Sequence, residues 1–171
     1  LMSVEFFAGD WLKQRMGLYM ASHMVITPAI ALLASACDWA AVGASPPAAF
    51  GWFLGASYAN GLVLEIGRKI YAPDEEREGV ETYSSAWGPS SAVAAWVGAV
   101  AASGVLTLIA ALQVGAGQTA LIALVVGGIG VGIVTWRFRM VPVADRASAL
   151  ETASGLWLLL SYSLMGIAPL V

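Results

Sequence analysis

The chain has 171 residues, of which 59% are hydrophobic and only 11% charged, and its mean hydropathy is +0.78. A soluble domain carries about 45–50% apolar and about 25% charged residues, so the composition argues for a membrane protein. A net charge of -3 with no Lys/Arg run among aromatics argues against nucleic acid, and a lone Cys37 excludes an internal disulfide.

Residues 1–15 form the first unit. Phe6, Phe7, Trp11 and Leu12 fall opposite Glu5, Asp10 and Lys13 at helical spacing. This predicts an amphipathic helix lying on the membrane surface. Nothing near the start has the apolar core and small-residue cleavage site of a signal peptide, and Leu1 reads as a cut end.

Residues 16–171 read as a transmembrane helical bundle. Five stretches approach the ~20 residues that a spanning helix needs: Met16 to Ala36, Pro47 to Leu64, Ser91 to Leu112, Thr119 to Trp136, and Ala147 to Ala168. The second is expected to continue as helix to about Ala72, where Pro73 stops it. Pro73 is then expected to open a second short helix, with Asp74, Glu75 and Glu76 in its first turn and Gly79 ending it. In the fourth stretch Gly128 and Gly132 form a small-xxx-small pair, which reads first as close helix packing, with a lipid or cofactor groove as the alternative.

All eight Lys and Arg residues fall before span one, between spans two and three, or between spans four and five. Basic residues mark the cytoplasmic side. The N-terminus and the loop at 65–88 are therefore expected to be cytoplasmic, in the plasma membrane (for a bacterium, the inner membrane).

That loop is the chemical centre of the sequence. Glu65, Arg68, Lys69, Asp74, Glu75, Glu76, Arg77, Glu78 and Glu81 occupy one short stretch of an otherwise oily chain. Part of this is ordinary helix chemistry, since Glu65 and Lys69 are spaced for an i,i+4 ion pair. Three features point further. Glu65 lies at the membrane boundary on a span that also carries Tyr58 and Asn60, and ionisable groups there usually face a bundle interior or a wet cavity. Carboxylates alternate with cations, as suits a hard divalent ion shared with phosphate oxygens. One His and one Cys cannot build a zinc site of the usual kind.

Elsewhere, Tyr19, His23 and Thr27 share a helix face, and His23 reads first as a hydrogen-bonded packing residue, with acceptor binding as the alternative. Trp87 reads as an interface anchor. Tyr83 divides evenly between that role and pocket lining. Glu151 reads first as a partner for Arg146 or another basic residue near the interface, with facing the cavity as the alternative.

The stretch "DEEREGVETYSSAWG" resembles the second acidic motif of the UbiA-type intramembrane prenyltransferase superfamily, roughly D-x-x-x-D-x-x-x-G-[VI]-x-T with a later Gly. Gly79, Val80, Thr82 and Gly88 match its tail, and Glu75 matches its second acidic position. Tyr71 occupies the first acidic position, a departure from the pattern. A shifted register, Asp74 and Glu78, restores two carboxylates four apart but loses the spacing to Gly79, and Glu65 can supply the missing ligand. "EFFAGDWLKQRMGLYMASHM" also looks like the middle of some members.

The resemblance implies a nine-helix fold around a lipid-open cavity, of which these five spans match roughly the C-terminal half. The first motif, N-D-x-x-D-x-x-x-D, is not in the chain, so a missing N-terminal half would supply it, and the chain alone would be incomplete or inactive. The implied function is Mg2+-dependent transfer of a prenyl group from an isoprenyl diphosphate to an aromatic or lipid-like acceptor. By the same resemblance Glu65, Glu75 and Lys69 would be catalytic. Arg68, Lys69 and Arg77 would bind the diphosphate, and Glu75, Asp74, Glu78 and Glu65 would hold Mg2+. Tyr58, Asn60, Tyr83 and His23 would line the prenyl or acceptor pocket. The main alternative is a non-enzymatic membrane protein, a small transporter or an assembly subunit. A phosphatidyl-alcohol transferase would need D-G-x-x-A-R, and the sequence has none.

Overall fold

The computed structural model describes residues 11, 15–47, 49–77 and 79–168, and among these every regular element is a helix. In chain order they are α1 (Met16–His23), α2 (Ile26–Ala41), α3 (Phe50–Gly67), the single-turn α4 (Tyr83–Trp87), α5 (Pro89–Gln113), α6 (Gly117–Met140) and α7 (Ala144–Gly166). The expected surface helix over residues 1–15 lies almost wholly outside the described residues. Within it, the Arg15 guanidinium stands 4.4 Å over the Trp11 ring.

Three segments are long and apolar enough to cross a membrane: Met16–Ala41, Pro89–Gln113 and Gly117–Met140. The 25 residues of α5 span about 37 Å at helical rise, more than the ~30 Å hydrocarbon core.

The first segment is two helices, not one. Pro28 has no N–H to give to the carbonyl of Met24, and its ring crowds that carbonyl. The chain turns at Met24–Val25. The Met24 carbonyl accepts instead from the Thr27 amide at 3.1 Å and the Thr27 hydroxyl at 2.9 Å. Thr27 therefore belongs to α2, and its hydroxyl also reaches the Ser57 carbonyl on α3 at 3.0 Å.

Helix α3 is the hub. It packs most extensively on α5 and also touches α1, α2 and α7. Two glycines permit the approach. A Cβ on Gly61 would come within 2.8 Å of the Thr27 hydroxyl, and one on Gly67 would collide with the Ser154 hydroxyl and reach 3.0 Å from Trp96 Nε1. Trp96, fully buried, donates to Ser154 at 2.9 Å, and Ser154 donates to the Leu150 carbonyl at 2.8 Å. One junction thus pins the last residue of α3 between α5 and α7.

The loop after α3 corrects two expectations. The helix ends at Gly67, with Arg68 as its C-cap, and does not run on to Ala72. Pro73–Glu75 form a turn rather than a short helix, with the Glu75 amide bonded to the Ala72 carbonyl at 2.9 Å. The short helix comes later, at α4. Thr82 caps it through a reciprocal box with Ser85, satisfying amides that have no partner inside the helix. Gly79 and Gly88 both have φ of 81°, a conformation that costs glycine little.

Candidate functional site

The site is built on the last turn of α3. Glu65 is buried. Its Oε2 accepts from Arg68 Nε at 2.8 Å and pairs with Arg68 Nη2 at 2.5 Å. Its Oε1 pairs with Lys69 Nζ at 2.9 Å and receives the Tyr83 hydroxyl at 3.5 Å. The i,i+4 pairing expected from the sequence is present, and Arg68 adds a second cation. One carboxylate against two cations leaves a surplus positive charge at the helix end, where the helix dipole favours it.

Tyr83 closes the site from the loop side. Its amide donates to the Lys69 carbonyl at 3.1 Å, and its ring lies 5.7 Å from Lys69 Nζ. Burial is the main force pushing the phenol well above its ordinary range, and the charge of Glu65 and the hydrogen bond to it add to the shift. The Tyr71 amide donates to Ser84 Oγ at 2.8 Å, tying the loop to α4 again.

The two cations face different clefts. Lys69 lines a cleft of about 270 Å³ with Met16, Tyr19, Glu81 and Tyr83. Arg68 lines one of about 160 Å³ that also includes Tyr71, Glu75, Ser148 and Glu151. Each cleft therefore combines a cation with at least one carboxylate. A third, apolar groove of about 430 Å³ runs between α5 and α6 with Trp157 on its wall. Gly128 and Gly132 line it, and a Cβ on either would meet nothing within 4 Å. The expected close packing across this pair is therefore corrected: these two glycines widen a groove. Gly127 is the one that packs, against Trp157 and Leu160.

The sequence-expected residues are distributed as follows. Glu65, Lys69, Arg68 and Tyr83 come together at the end of α3. Glu75 is exposed on the turn and lines the Arg68 cleft; Asp74 and Arg77 are exposed and line neither cleft. Glu78 lies outside the described residues. Among the described residues no three His, Cys, Asp or Glu side chains gather around one point, and both oxygens of Glu65 are taken by cations. Tyr58 donates to the Ala21 carbonyl at 3.0 Å, toward α1. Asn60 instead turns inward to Ser103 at 2.6 Å, so these two do not share a pocket. His23 stacks on Tyr19 at 4.0 Å, with its Nδ1 3.0 Å from the Tyr19 carbonyl, which fits a packing residue.

Three residues gain importance. Tyr19 and Glu81 line the Lys69 cleft. Glu151 faces the Arg68 cleft rather than Arg146, which donates to the Arg137 carbonyl at 2.6 Å and so closes the α6–α7 turn. Glu76 is held by the Thr82 hydroxyl at 2.7 Å. Glu81 belongs to the charge run and Glu151 has cavity-facing as its second reading, whereas Tyr19 has no cleft role in the sequence and reaches the Lys69 cleft through helix packing.

No protein-family model matches the chain, and neither a curated protein nor a solved structure gives a match.

Proposed function

We propose that the chain acts in Mg2+-dependent prenyl transfer from an isoprenyl diphosphate to an aromatic or lipid-like acceptor, as the part of a UbiA-type enzyme that carries the second acidic motif. The observation that carries this reading is the end of α3, where buried Glu65 holds Arg68 and Lys69 at two clefts, each also lined by a carboxylate. Diphosphate recognition needs cations that reach its oxygens. Mg2+ binding typically needs one or two carboxylates alongside substrate phosphates, not an all-protein cage.

Glu75 and Glu151, on the wall of the Arg68 cleft, fit that requirement, with Asp74 next to them on the turn. Bound there, Mg2+ would neutralise the leaving diphosphate. Arg68 and Lys69 bind diphosphate oxygens and stabilise the charge that develops on them. Glu65 is a positioning residue in this arrangement, since it fixes both cations. The apolar α5–α6 groove, whose Val97 and Thr135 lie toward the same end of the bundle, accommodates a prenyl chain and keeps water away.

The proposal includes five spans, with the N-terminus and the acidic loop cytoplasmic in the plasma membrane. The alternation of long helices and short turns supports it, as does the one-sided placement of every Lys and Arg.

The test is binding and turnover of a radiolabelled isoprenyl diphosphate by membranes containing the protein expressed from its natural reading frame. Binding should require Mg2+, and Lys69→Gln and Glu75→Gln should each weaken it by roughly tenfold, the scale of one charge-assisted contact. Mg2+-independent behaviour with both variants unimpaired would overturn the reading in favour of a non-enzymatic transporter or assembly subunit.

A further inference from the structure

A second polar site lies deep in the bundle, away from the charged end. The junction of Gly67, Trp96 and Ser154 fixes the register of α3, α5 and α7. Seven residues farther along each helix brings two turns, the same face, and about 10 Å of depth. Counted from Gly67, Trp96 and Ser154, that step reaches Asn60, Ser103 and Ser161, all fully buried. Ser57 and Thr107, also fully buried, lie one turn deeper on antiparallel neighbours.

Hydrogen-bond polarity orients this layer. The Trp157 indole N–H can only donate, and it gives its proton to Ser103 Oγ at 2.9 Å. Ser103 in turn donates to Asn60 Oδ1 at 2.6 Å. With Oδ1 toward Ser103, Nδ2 and its two N–H donors lie on the other side of the Asn60 amide. Asn60 Nδ2, Ser161 Oγ, Ser57 Oγ and Thr107 Oγ1 find no protein partner. Four such groups at neighbouring levels of three packed helices depart from the rule that buried polar atoms are paired.

We propose that Asn60, Ser161, Ser57 and Thr107 form an internal hydration site, holding ordered water at the α3–α5–α7 junction. The ligand has to accept from an amide N–H and exchange hydrogen bonds with neutral hydroxyls. Water does both, and a buried water typically makes about three such bonds. A bare cation is disfavoured by the Nδ2 donors. The site is independent of the prenyl-transfer reading.

The test is a structure of the whole protein in lipid at a resolution that shows water, paired with hydroxyl-radical footprinting. Solvent density within hydrogen-bond distance of both Asn60 Nδ2 and Ser161 Oγ is expected. Asn60 Nδ2 bonded directly to a protein oxygen, with no density between the helices, would overturn the proposal. In footprinting, Trp157, only 5% exposed, should be oxidised as readily as a surface aromatic, because bound water generates the radical locally. Asn60→Leu combined with Ser161→Ala should lower that labelling several-fold, while the milder Ser161→Ala alone, which leaves Asn60 in place, should lower it in part. Unchanged labelling in a folded variant would also overturn the proposal.

Discussion

Glu65 holds two cations on one buried carboxylate, and this sets what its loss should do. Glu65→Gln removes the charge and leaves Arg68 and Lys69 without the anion they share. Arg68 is half-exposed, so water offsets part of the loss, and about 1–2 kcal/mol of destabilisation is expected, read as a lower melting temperature in detergent. Arg68→Gln, which leaves the Lys69 pair intact, should cost less. Tyr83 gives a pH dependence with a definite sign. Its folded pKa lies above the unfolded value of about 10, so the folded state favours the neutral phenol. Its contribution to stability is complete below about pH 10 and is lost as pH rises from there through the folded pKa. Tyr83→Phe should flatten the alkaline decline in melting temperature, and an unchanged slope would contradict the buried setting of this phenol.

At the scale of the elements, glycines separate into two kinds that the sequence does not distinguish. Gly67 ends α3 against Ser154 and Trp96, and Ser154 is held by its own hydrogen bonds. The obstructing atom cannot swing away, so Gly67→Ala should destabilise by about 1–3 kcal/mol. Gly128 and Gly132 face open space, and alanine at either should change stability by no more than about 0.5 kcal/mol while narrowing the α5–α6 groove. Thermal unfolding of the three single variants checks both statements. The kink between α1 and α2 and the cap on α4 belong to the same scale. Each is set by local chemistry, the missing N–H and the ring of Pro28 and the side-chain box between Thr82 and Ser85.

For the whole molecule, the decisive quantity is which side of the membrane each turn occupies. Every Lys and Arg falls before the first apolar stretch, between the second and third, or between the fourth and fifth, and the proposed five-span arrangement puts these basic segments on the cytoplasmic side. In a Cys37→Ala background, Ala44→Cys should react with a membrane-impermeant maleimide added outside intact cells. Asp74→Cys should react only after permeabilisation. Both positions are exposed, so a failure to label reports topology rather than burial. Labelling of both from outside would refute the five-span arrangement.

The sequence by itself determined the helical, membrane-compatible class, because apolar length is a one-dimensional property. It also determined the Glu65–Lys69 pair, because i,i+4 neighbours meet wherever a helix forms. It set Gly79 at the end of a short helix opened by Pro73, whereas Pro73–Glu75 form only a turn and Gly79 takes a φ of 81° in the loop. It set the end of α3 too late, because Pro73 is a strong stop signal, whereas the helix already ends at Gly67, with Arg68 as its C-cap. Only the tertiary structure decided that Arg68 and Lys69 serve separate clefts, that Glu151 faces one of them, and that Asn60 looks inward while Tyr58 looks toward α1. Each of these depends on which face of α3 meets which neighbour. In an apolar helix with few polar landmarks, no periodicity in the chain records that choice; side-chain volume and the glycine contacts settle it.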